Sequence, residues 1–306
     1  MTLKYIFFSL LFFASNVWGQ VRYIDYPSPF HPTIGSSGMV VSQNQASSDI
    51  GVEILNMGGN AIDAAVAVGF SLATTLPRAG NLGGGGFMLI YLSDEQKTIA
   101  VDFRSSAPKG ISENEFLFLK KNYDQRRFGY KASGVPGTVA GLLQTHQRYG
   151  KLPLKKILQP VILQASKGIL VTYDLNQAIG SAHQINLDEE SKKIYYQNES
   201  PVIEHALMKR PDLAWTFREI ARKGEDAFYK GSIAKKIVKA MEQNGGYITR
   251  EDLEDYKPRF AEPIQTTYRN HKVLAHPPPA GGAAVLLEGL NILENFKTDE
   301  MGPNSA

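Results

Sequence analysis

The sequence contains no cysteine, and its charge is nearly balanced. Without cysteine, disulfide bonds, thiolate catalysis and zinc–thiolate sites are all excluded. The 33 Lys and Arg residues face 30 Asp and Glu residues, so the formal net charge is only +3. This charge is too small to indicate nucleic acid or an anionic membrane surface as a partner. An apolar content of 43% over 306 residues is typical of one large globular domain or two modest ones.

Residue spacings that commonly mark metal or hydrolase sites are also missing. The sequence has no Gly-x-Ser-x-Gly turn, which argues against a Ser–His–Asp hydrolase. Its six histidines show no HxxxH pair or other metal-ligand spacing. They are His31, His146, His183, His205, His271 and His276. We expect each histidine to be solvated or part of the core, and we predict neither a metal nor another cofactor.

The beginning of the chain has the pattern of a secretory signal. Lys4 is followed by an apolar stretch from Tyr5 to Ala14 and then by small or polar residues before Gln20. The apolar stretch is too short for a stable transmembrane span, and the lack of cysteine excludes a lipobox anchor. A retained anchor helix is the alternative. We predict a signal peptide over residues 1–19, a remaining region of residues 20–306, and a periplasmic or secreted protein.

Apolar residues at helical spacing predict two helices early in the chain. The first covers Ala46–Met57 and ends at a pair of glycines. The second follows Asn60, whose side chain can form a variant of the capping box with Asp63, and it ends before Pro77. Because Ala64–Ala73 contains almost no polar residue, we expect this second helix to be buried on all sides.

Strands flank a mainly helical second half. The predicted strands are Gly38–Gln43, Phe87–Leu92, Thr98–Phe103, Ile264–Tyr268 and Lys272–His276. Pro160 is expected to open a helix that ends at Lys167, and Pro211 to open another. Thr249 and Asp252 form a second capping box. This arrangement indicates an α/β layered fold.

Four consecutive glycines, Gly83, Gly84, Gly85 and Gly86, stand directly before an apolar run. A phosphate-binding loop is one interpretation, but such loops follow a strand and open a helix. Here the order is helix, loop, strand, and Gly86 is followed by Phe87 instead of by a lysine and a Ser or Thr. Close packing of backbone against backbone is the other interpretation.

Arg104 follows a predicted strand in the stretch VDFRSSAP. A guanidinium at the end of a strand can bind a substrate carboxylate through two parallel hydrogen bonds. The alternative is an ordinary surface ion pair, which is the more frequent role of an isolated arginine.

Ordered motifs along the chain resemble those of the gamma-glutamyltranspeptidases, also called glutathione hydrolases. They include ASSDIGVEILNMGGNAIDAAVAVGFSLATTLP, GNLGGGGFMLIYL, DFRSSAP, ASGVPGTVAGL, NGGYITREDLEDY and YRNHKVLAHPPPAGG. The resemblance implies an N-terminal-nucleophile hydrolase fold, a four-layer αββα sandwich that is incomplete here. It also implies export as a precursor that cleaves itself into a large and a small subunit. A threonine freed at the start of the small subunit then attacks the γ-glutamyl amide of glutathione, with its own α-amine as the base.

The resemblance assigns roles residue by residue. Arg104 corresponds to the arginine that binds the α-carboxylate of the glutamyl group, and Gly83–Gly86 correspond to backbone close to the substrate pocket. The self-cleavage segment and its threonine are expected beyond this chain, because Thr266–Tyr268 lies where the family has an ordinary strand. We therefore expect no catalytic residue in this chain and no activity from it alone.

The expected partners are glutathione, other γ-glutamyl compounds and the small subunit of the same precursor. Two alternatives remain open. A related amidohydrolase that removes acyl side chains from β-lactam-like amides shares these motifs, and a non-catalytic chain could retain the arginine to bind a γ-glutamyl or amino-acid ligand.

Overall fold

The computed structural model describes residues 34–182, 188–298 and 300–302. The chain divides into two compact units, residues 1–39 and residues 40–306. Of the first unit only Ile34–Met39 are described, and they form neither helix nor strand. The predicted signal peptide lies outside the described residues, as do His31 and His183.

The second unit alternates helices with short strands. In chain order its elements are α1 (Gln45–Asn56), α2 (Ala61–Thr75), β1 (Phe87–Leu92), β2 (Lys97–Asp102), α3 (Glu113–Lys121), α4 (Tyr123–Arg127), α5 (Thr138–Tyr149), α6 (Leu154–Lys167), β3 (Ile169–Leu170), α7 (Tyr173–Ser181), α8 (Glu189–Tyr195), β4 (Tyr196–Gln197), β5 (Ser200–Pro201), β6 (Leu207–Met208), α9 (Pro211–Lys223), α10 (Glu225–Tyr229), α11 (Ser232–Asn244), α12 (Arg250–Asp255), β7 (Arg259–Ala261), β8 (Ile264–Tyr268), β9 (His271–Ala275) and α13 (Gly281–Leu293). The α/β class predicted from the sequence is confirmed.

Helix α2 is the centre of the hydrophobic core. It packs against α1, α5 and α6, and most of its side chains are buried, although Ala65 is exposed. Phe70 of α2 meets Phe217 of α9 edge to face, with 5.9 Å between ring centroids. The all-apolar stretch predicted such burial, because a helix without a polar face must be covered by neighbouring elements.

A buried carboxylate connects the start of α2 to the chain before α6. The Asn60 side chain accepts a hydrogen bond from the Asp63 N–H, and the Asp63 carboxylate accepts one from the Asn60 N–H, both at 3.0 Å. Asp63 also accepts hydrogen bonds from the N–H groups of Lys151 and Leu152. The predicted capping box is therefore confirmed, and its acid stabilises two distant segments at once.

A three-stranded antiparallel sheet in the order β1–β2–β7 carries the residues of the candidate site. In its register Phe87 lies opposite Asp102, and Asp102 lies opposite Arg259. Three side chains from distant parts of the sequence thus stand side by side at one end of the sheet. The predicted hairpin of β1 and β2 is confirmed.

Strands β8 and β9 form a separate two-stranded hairpin. Its turn consists of Arg269 and Asn270, whose φ angles are 48° and 64°. Two residues with positive φ are typical of the tight hairpin turn whose twist matches that of the strands. The predicted hairpin is confirmed, with β9 beginning one residue earlier, at His271.

Two expectations are wrong. Residues 38–43 form no strand, because none of them has a ladder partner among the described residues. Pro160 does not open a helix but lies inside α6, which begins at Leu154. Pro160 is itself buried there beside the core residues of α6, so packing outweighs the start signal that a proline gives.

The described part of the chain offers no membrane span and no metal centre. None of its helices is both long enough and apolar enough to cross a bilayer. In these same residues, no group of three or more His, Asp or Glu side chains is arranged to hold a metal ion.

Candidate functional site

Arg104 lies in the loop of residues 103–106 that follows β2, which we call the Arg104 loop. The loop backbone is held on both sides of the residue. The Arg104 N–H donates to Asp102 Oδ1 at 3.0 Å, and the Arg104 carbonyl accepts a hydrogen bond from Tyr256 Oη at 2.8 Å. These two hydrogen bonds to the Arg104 main chain therefore fix its Cα atom and the direction in which the exposed side chain leaves the backbone.

The Arg104 guanidinium itself is available to a ligand. Its Cζ lies 5.8 Å from the centroid of the Phe87 ring, which in turn packs against His276 with 4.5 Å between ring centroids. Among the residues that the structure describes, no carboxylate oxygen lies within 4.0 Å of the guanidinium. A cation over an aromatic face keeps its charge and its hydrogen-bond donors, so this side chain can bind an anion.

The neighbouring carboxylate is used by another arginine. Asp102 Oδ2 lies 3.4 Å from Nη2 of Arg259, its partner across the sheet. Arg259 Nη2 also donates to the Pro278 carbonyl at 2.5 Å. Asp102 therefore supports the Arg104 backbone through one oxygen and pairs with Arg259 through the other, which leaves the Arg104 charge uncompensated.

Two glycines of the run pack directly against the Arg104 loop. A Cβ atom on Gly85 would lie 2.4 Å from both the Phe103 carbonyl oxygen and the Ser105 nitrogen. Gly86 and Phe103 exchange two backbone hydrogen bonds, of 3.2 and 3.0 Å. A side chain at Gly85 would thus displace the backbone that carries Arg104. Gly85 therefore allows the backbone of the glycine run to lie directly against the backbone of the Arg104 loop.

The other two glycines have looser surroundings. The Gly84 carbonyl accepts hydrogen bonds from the N–H groups of Gly137 (2.8 Å) and Thr138 (3.1 Å), at the start of α5. A Cβ on Gly83 would meet only the Asn81 side chain, at 3.6 Å, which is an ordinary contact. The run therefore connects α5 to the Arg104 loop, and its members are not equivalent.

Phe103 is enclosed by three glycines, Gly86 before β1 and Gly137 and Gly141 at the start of α5. A Cβ on Gly141 would lie 2.2 Å from Phe103 Cγ, and one on Gly86 would lie 2.8 Å from Phe103 Cε2. A Cβ on Gly137 would lie 2.1 Å from the Phe103 carbonyl oxygen. The residue before Arg104 thus fits a pocket that only glycines at these three positions leave open.

Sequence analysis did not find the tyrosine pair that supports the Arg104 loop. Tyr256 stacks on Tyr229, with 5.8 Å between ring centroids and 9° between ring planes. Tyr229 Oη donates to the Pro136 carbonyl at 2.8 Å and accepts from the Ala140 N–H at 3.1 Å. Burial raises the pKa of both tyrosines above the usual range. Tyr256 therefore remains a neutral donor to Arg104 at physiological pH.

The only sequence signal for Tyr256 is its place directly after the capping-box helix α12. Its partner Arg104 is 152 positions away, and nothing in local spacing indicates that contact.

The two threonines of the Thr-Thr-Tyr stretch are ordinary strand residues. Thr266 and Thr267 lie in β8, opposite Val273 and Lys272 of β9. Thr266 Oγ1 is hydrogen-bonded to Asn291 Oδ1 at 2.6 Å. Both are interior residues of the chain, so neither has the free α-amine that an N-terminal nucleophile uses as its base.

Residues 47–306 match the family profile described as gamma-glutamyltranspeptidase. The chain is 42% identical over 281 residues to the glutathione hydrolase proenzyme of Escherichia coli (strain K12), an alignment that covers 90% of this chain and 48% of that relative. The chain thus spans about half the length of this curated relative.

Comparison with solved structures also finds similarity to gamma-glutamyltranspeptidases. The chain is similar to a gamma-glutamyltranspeptidase from Helicobacter pylori, with a TM-score of 0.84 and 36% identity, over 91% of this chain and 80% of that one. It is also similar to a cephalosporin acylase from Bacillus halodurans, with a TM-score of 0.78 and 28% identity, over 91% of this chain and 53% of that one. The expected fold class, that of the N-terminal-nucleophile hydrolases, is confirmed by these likenesses.

Proposed function

Because the chain belongs to the gamma-glutamyltranspeptidase family, we propose that it supplies the large-subunit part of a glutathione hydrolase. The full-length enzyme cleaves the γ-glutamyl amide of glutathione and transfers the glutamyl group to water or to an amino acid. The similarity to the Escherichia coli glutathione hydrolase proenzyme supports this activity and synthesis as a precursor.

The observation that carries the proposal is the state of Arg104. Its backbone is held by Asp102 and Tyr256, whereas its guanidinium is exposed and, within the described residues, without a carboxylate partner. Such a side chain is pre-organised for an anion, since little rotational freedom of the backbone is lost on binding. The α-carboxylate of a γ-glutamyl group is the anion proposed here, bound through two charge-assisted hydrogen bonds.

The reaction needs a nucleophile that the described residues do not provide. A threonine at the start of the small subunit attacks the γ-carbonyl carbon, its hydroxyl proton passing to its own α-amine. The amide C–N bond then breaks, the proton goes to the leaving amine, and an ester-linked glutamyl group remains until water or an amine displaces it. We propose that the 306-residue chain alone is inactive, since Thr266 and Thr267 are interior strand residues.

A second candidate function is supported by the likeness to the Bacillus halodurans cephalosporin acylase. Such an enzyme would cleave the acyl side chain of a β-lactam amide with the same type of nucleophile. A third reading, a non-catalytic protein that binds a γ-glutamyl compound or an amino acid at Arg104, requires no nucleophile. Hydrolysis of γ-glutamyl-p-nitroanilide but not of a cephalosporin amide by the full-length protein favours the glutathione hydrolase over both alternatives.

The proposed location is the periplasm or the extracellular medium, supported by the signal-like pattern at the start of the chain. Determining the N-terminal sequence of the protein purified from a cell fraction tests this. A mature N-terminus at Gln20 in the exported fraction supports it, and an intact Met1 in the cytoplasmic fraction contradicts it.

Two measurements test the activity. The first is the nucleotide sequence beyond the codon for Ala306, which we expect to continue into a region with a threonine nucleophile. The second is hydrolysis of γ-glutamyl-p-nitroanilide by the full-length protein and by its Arg104→Ala variant. Loss of two charge-assisted hydrogen bonds should lower kcat/KM by about 30- to 150-fold, equivalent to about 2–3 kcal/mol.

Arg78→Ala is the matched control, because Arg78 is also an exposed guanidinium but its Nη2 lies 3.7 Å from Asp174 Oδ2, so its charge is already paired. This control should leave kcat/KM within about twofold of the wild-type value. If Arg104→Ala behaves like Arg78→Ala, the arginine does not bind the substrate and the assignment is wrong.

A further inference from the structure

A cleft of about 470 Å³ opens beside the Arg104 loop. Its wall includes Ser105 and Ser106, the two residues after Arg104, and Ser133 on the segment before α5. Ser106 is held in this wall by two backbone hydrogen bonds with Val135, of 3.2 and 2.8 Å. The wall of the cleft therefore begins at the residue after Arg104, and three serines belong to its lining.

Three cationic side chains line the same cleft, and no Asp or Glu of the described residues does. They are Lys120 from α3, Arg126 from α4, and Lys131. Within the described part of the chain, none of the three has a carboxylate oxygen within 4.0 Å. Arg126 and Lys131 instead lie over the rings of Tyr123 and Phe118, each 5.5 Å from the centroid. The positive charge of the cleft is therefore not neutralised by its own walls.

Among the described residues, Glu115 has a carboxylate that the Lys131 charge influences. Its pKa is lowered mainly by hydrogen bonds from Ser112, at 3.0 Å from the backbone N–H and 2.9 Å from the hydroxyl, and least by Lys131. Glu115 therefore serves to cap α3 rather than to pair with Lys131. A concave surface with uncompensated charge of one sign concentrates ligands of the opposite sign.

The spacing suits a ligand with two carboxylates. The leaving group of glutathione, cysteinylglycine, ends in a carboxylate at the opposite end of the tripeptide from the glutamyl α-carboxylate. Three extended residues span about 10 Å, and consecutive Cα atoms are about 3.8 Å apart, so the Ser106 Cα lies within about 8 Å of the Arg104 Cα. A ligand of this length is longer than the separation between the Arg104 Cα and the Ser106 Cα in the wall of the cleft.

We infer that this cleft, which we call the basic cleft, binds the carboxylate of the leaving group of γ-glutamyl substrates. The inference rests on the proposed function and deepens it, because it assigns the substrate class. Donors whose leaving group carries a carboxylate are preferred to donors with a neutral one, and Lys120, Arg126 and Lys131 are the residues that determine this specificity.

The test compares two chromogenic substrates in the full-length protein. γ-Glutamyl-3-carboxy-4-nitroanilide has an anionic leaving group, and γ-glutamyl-4-nitroanilide has a neutral one. The test variant combines Lys120→Gln with Arg126→Gln. The ratio of kcat/KM for the anionic substrate to that for the neutral one should fall about fivefold, as expected for partly exposed ion pairs. Activity on the neutral substrate should stay within about twofold.

The chain offers a closely matched control. Lys121 and Arg127 are the sequence neighbours of the two test residues, and neither lines the cleft. The double variant Lys121→Gln with Arg127→Gln removes the same two charges but should leave the ratio unchanged. An unchanged ratio in the test variant overturns the inference, and so does an equal fall in both variants, which would reflect net charge alone.

A salt titration of the wild-type protein gives a result that does not depend on the folding of any variant. Raising the NaCl concentration from about 0.05 to about 0.5 M should lower the substrate ratio, because screening weakens the attraction of the cleft for the anionic substrate. A ratio independent of salt overturns the inference. Absence of hydrolysis of both substrates would instead overturn the proposed function, and the basic cleft would lose its assigned role with it.

Discussion

Replacing Gly85 by alanine should disturb the candidate site through its backbone, because the new methyl group would contact backbone atoms of the Arg104 loop. The new Cβ would lie 2.4 Å from the Phe103 carbonyl oxygen, 2.4 Å from the Ser105 nitrogen and 2.7 Å from the Arg104 carbonyl carbon. These three atoms belong to the backbone, so none can rotate away as a side chain would. The Arg104 loop must therefore move as a unit.

The size of the effect follows from two opposing contributions. Overpacking by one methyl group in a closely packed region costs about 1–3 kcal/mol. Gly→Ala also stabilises by about 0.4–1 kcal/mol, because the unfolded chain loses freedom. Since Gly85 does not have a positive φ angle, no conformational penalty is added. We expect a net loss of about 1–2 kcal/mol in the free energy of unfolding and, from the displaced guanidinium, a KM for γ-glutamyl-p-nitroanilide about tenfold higher.

Chemical denaturation and steady-state kinetics of the full-length protein measure the two effects. Gly83→Ala is the control from the same run, because its Cβ would meet only Asn81 Oδ1, at 3.6 Å. That variant should be as stable as the wild type or slightly more stable. The reasoning fails if Gly85→Ala unfolds within about 0.5 kcal/mol of the wild type, or if Gly83→Ala is destabilised equally.

Two further substitutions probe the surroundings of the site. Tyr256→Phe removes the hydroxyl that donates to the Arg104 carbonyl but keeps the ring stacked on Tyr229. The KM for the γ-glutamyl donor should therefore rise about three- to tenfold, while kcat changes little. An unchanged KM in steady-state kinetics would show that this hydrogen bond does not position the arginine. Glu225→Gln removes a carboxyl whose pKa is raised by burial, beside Gln144. A raised pKa in the folded state means that wild-type stability falls as the pH rises through that pKa, so the variant should have the higher Tm near neutral pH and no advantage below about pH 4. Thermal unfolding at both pH values decides this, and an advantage of equal size at both would contradict the assigned cause.

Local patterns predicted most of the helices and the two main hairpins. Apolar spacing predicted α1 within one residue at each end, since a helix with one buried face shows its period in the sequence. The capping boxes at Asn60 and Thr249 were predictable for a similar reason, because both partners lie within one turn. The strand predicted at residues 38–43 is wrong, because a strand exists only when another strand pairs with it.

The candidate site was predictable only in part. Arg104 stood out by its position after a strand, and the substrate-binding role that the family resemblance implies for it stays a prediction. The contacts that hold the Arg104 backbone could not be predicted from local patterns. Tyr256 is 152 positions away in the sequence, and Gly85 belongs to the loop before β1. Lys120 and Arg126 were equally inaccessible to sequence reasoning, since their shared cleft exists only after α3 and α4 have packed.

The pocket around Phe103 has a consequence for how this part of the protein can change. Gly86, Gly137 and Gly141 each face the same residue at distances that exclude a methyl group. Substitutions at Gly86 and Gly141 are therefore coupled to the residue at position 103, because both glycines meet the Phe103 side chain, whereas Gly137 meets the Phe103 carbonyl oxygen. A scan of single substitutions would report four immutable positions. A smaller residue in place of Phe103 makes room at Gly141, so the cost of alanine at Gly141 should fall when the side chain at position 103 is smaller.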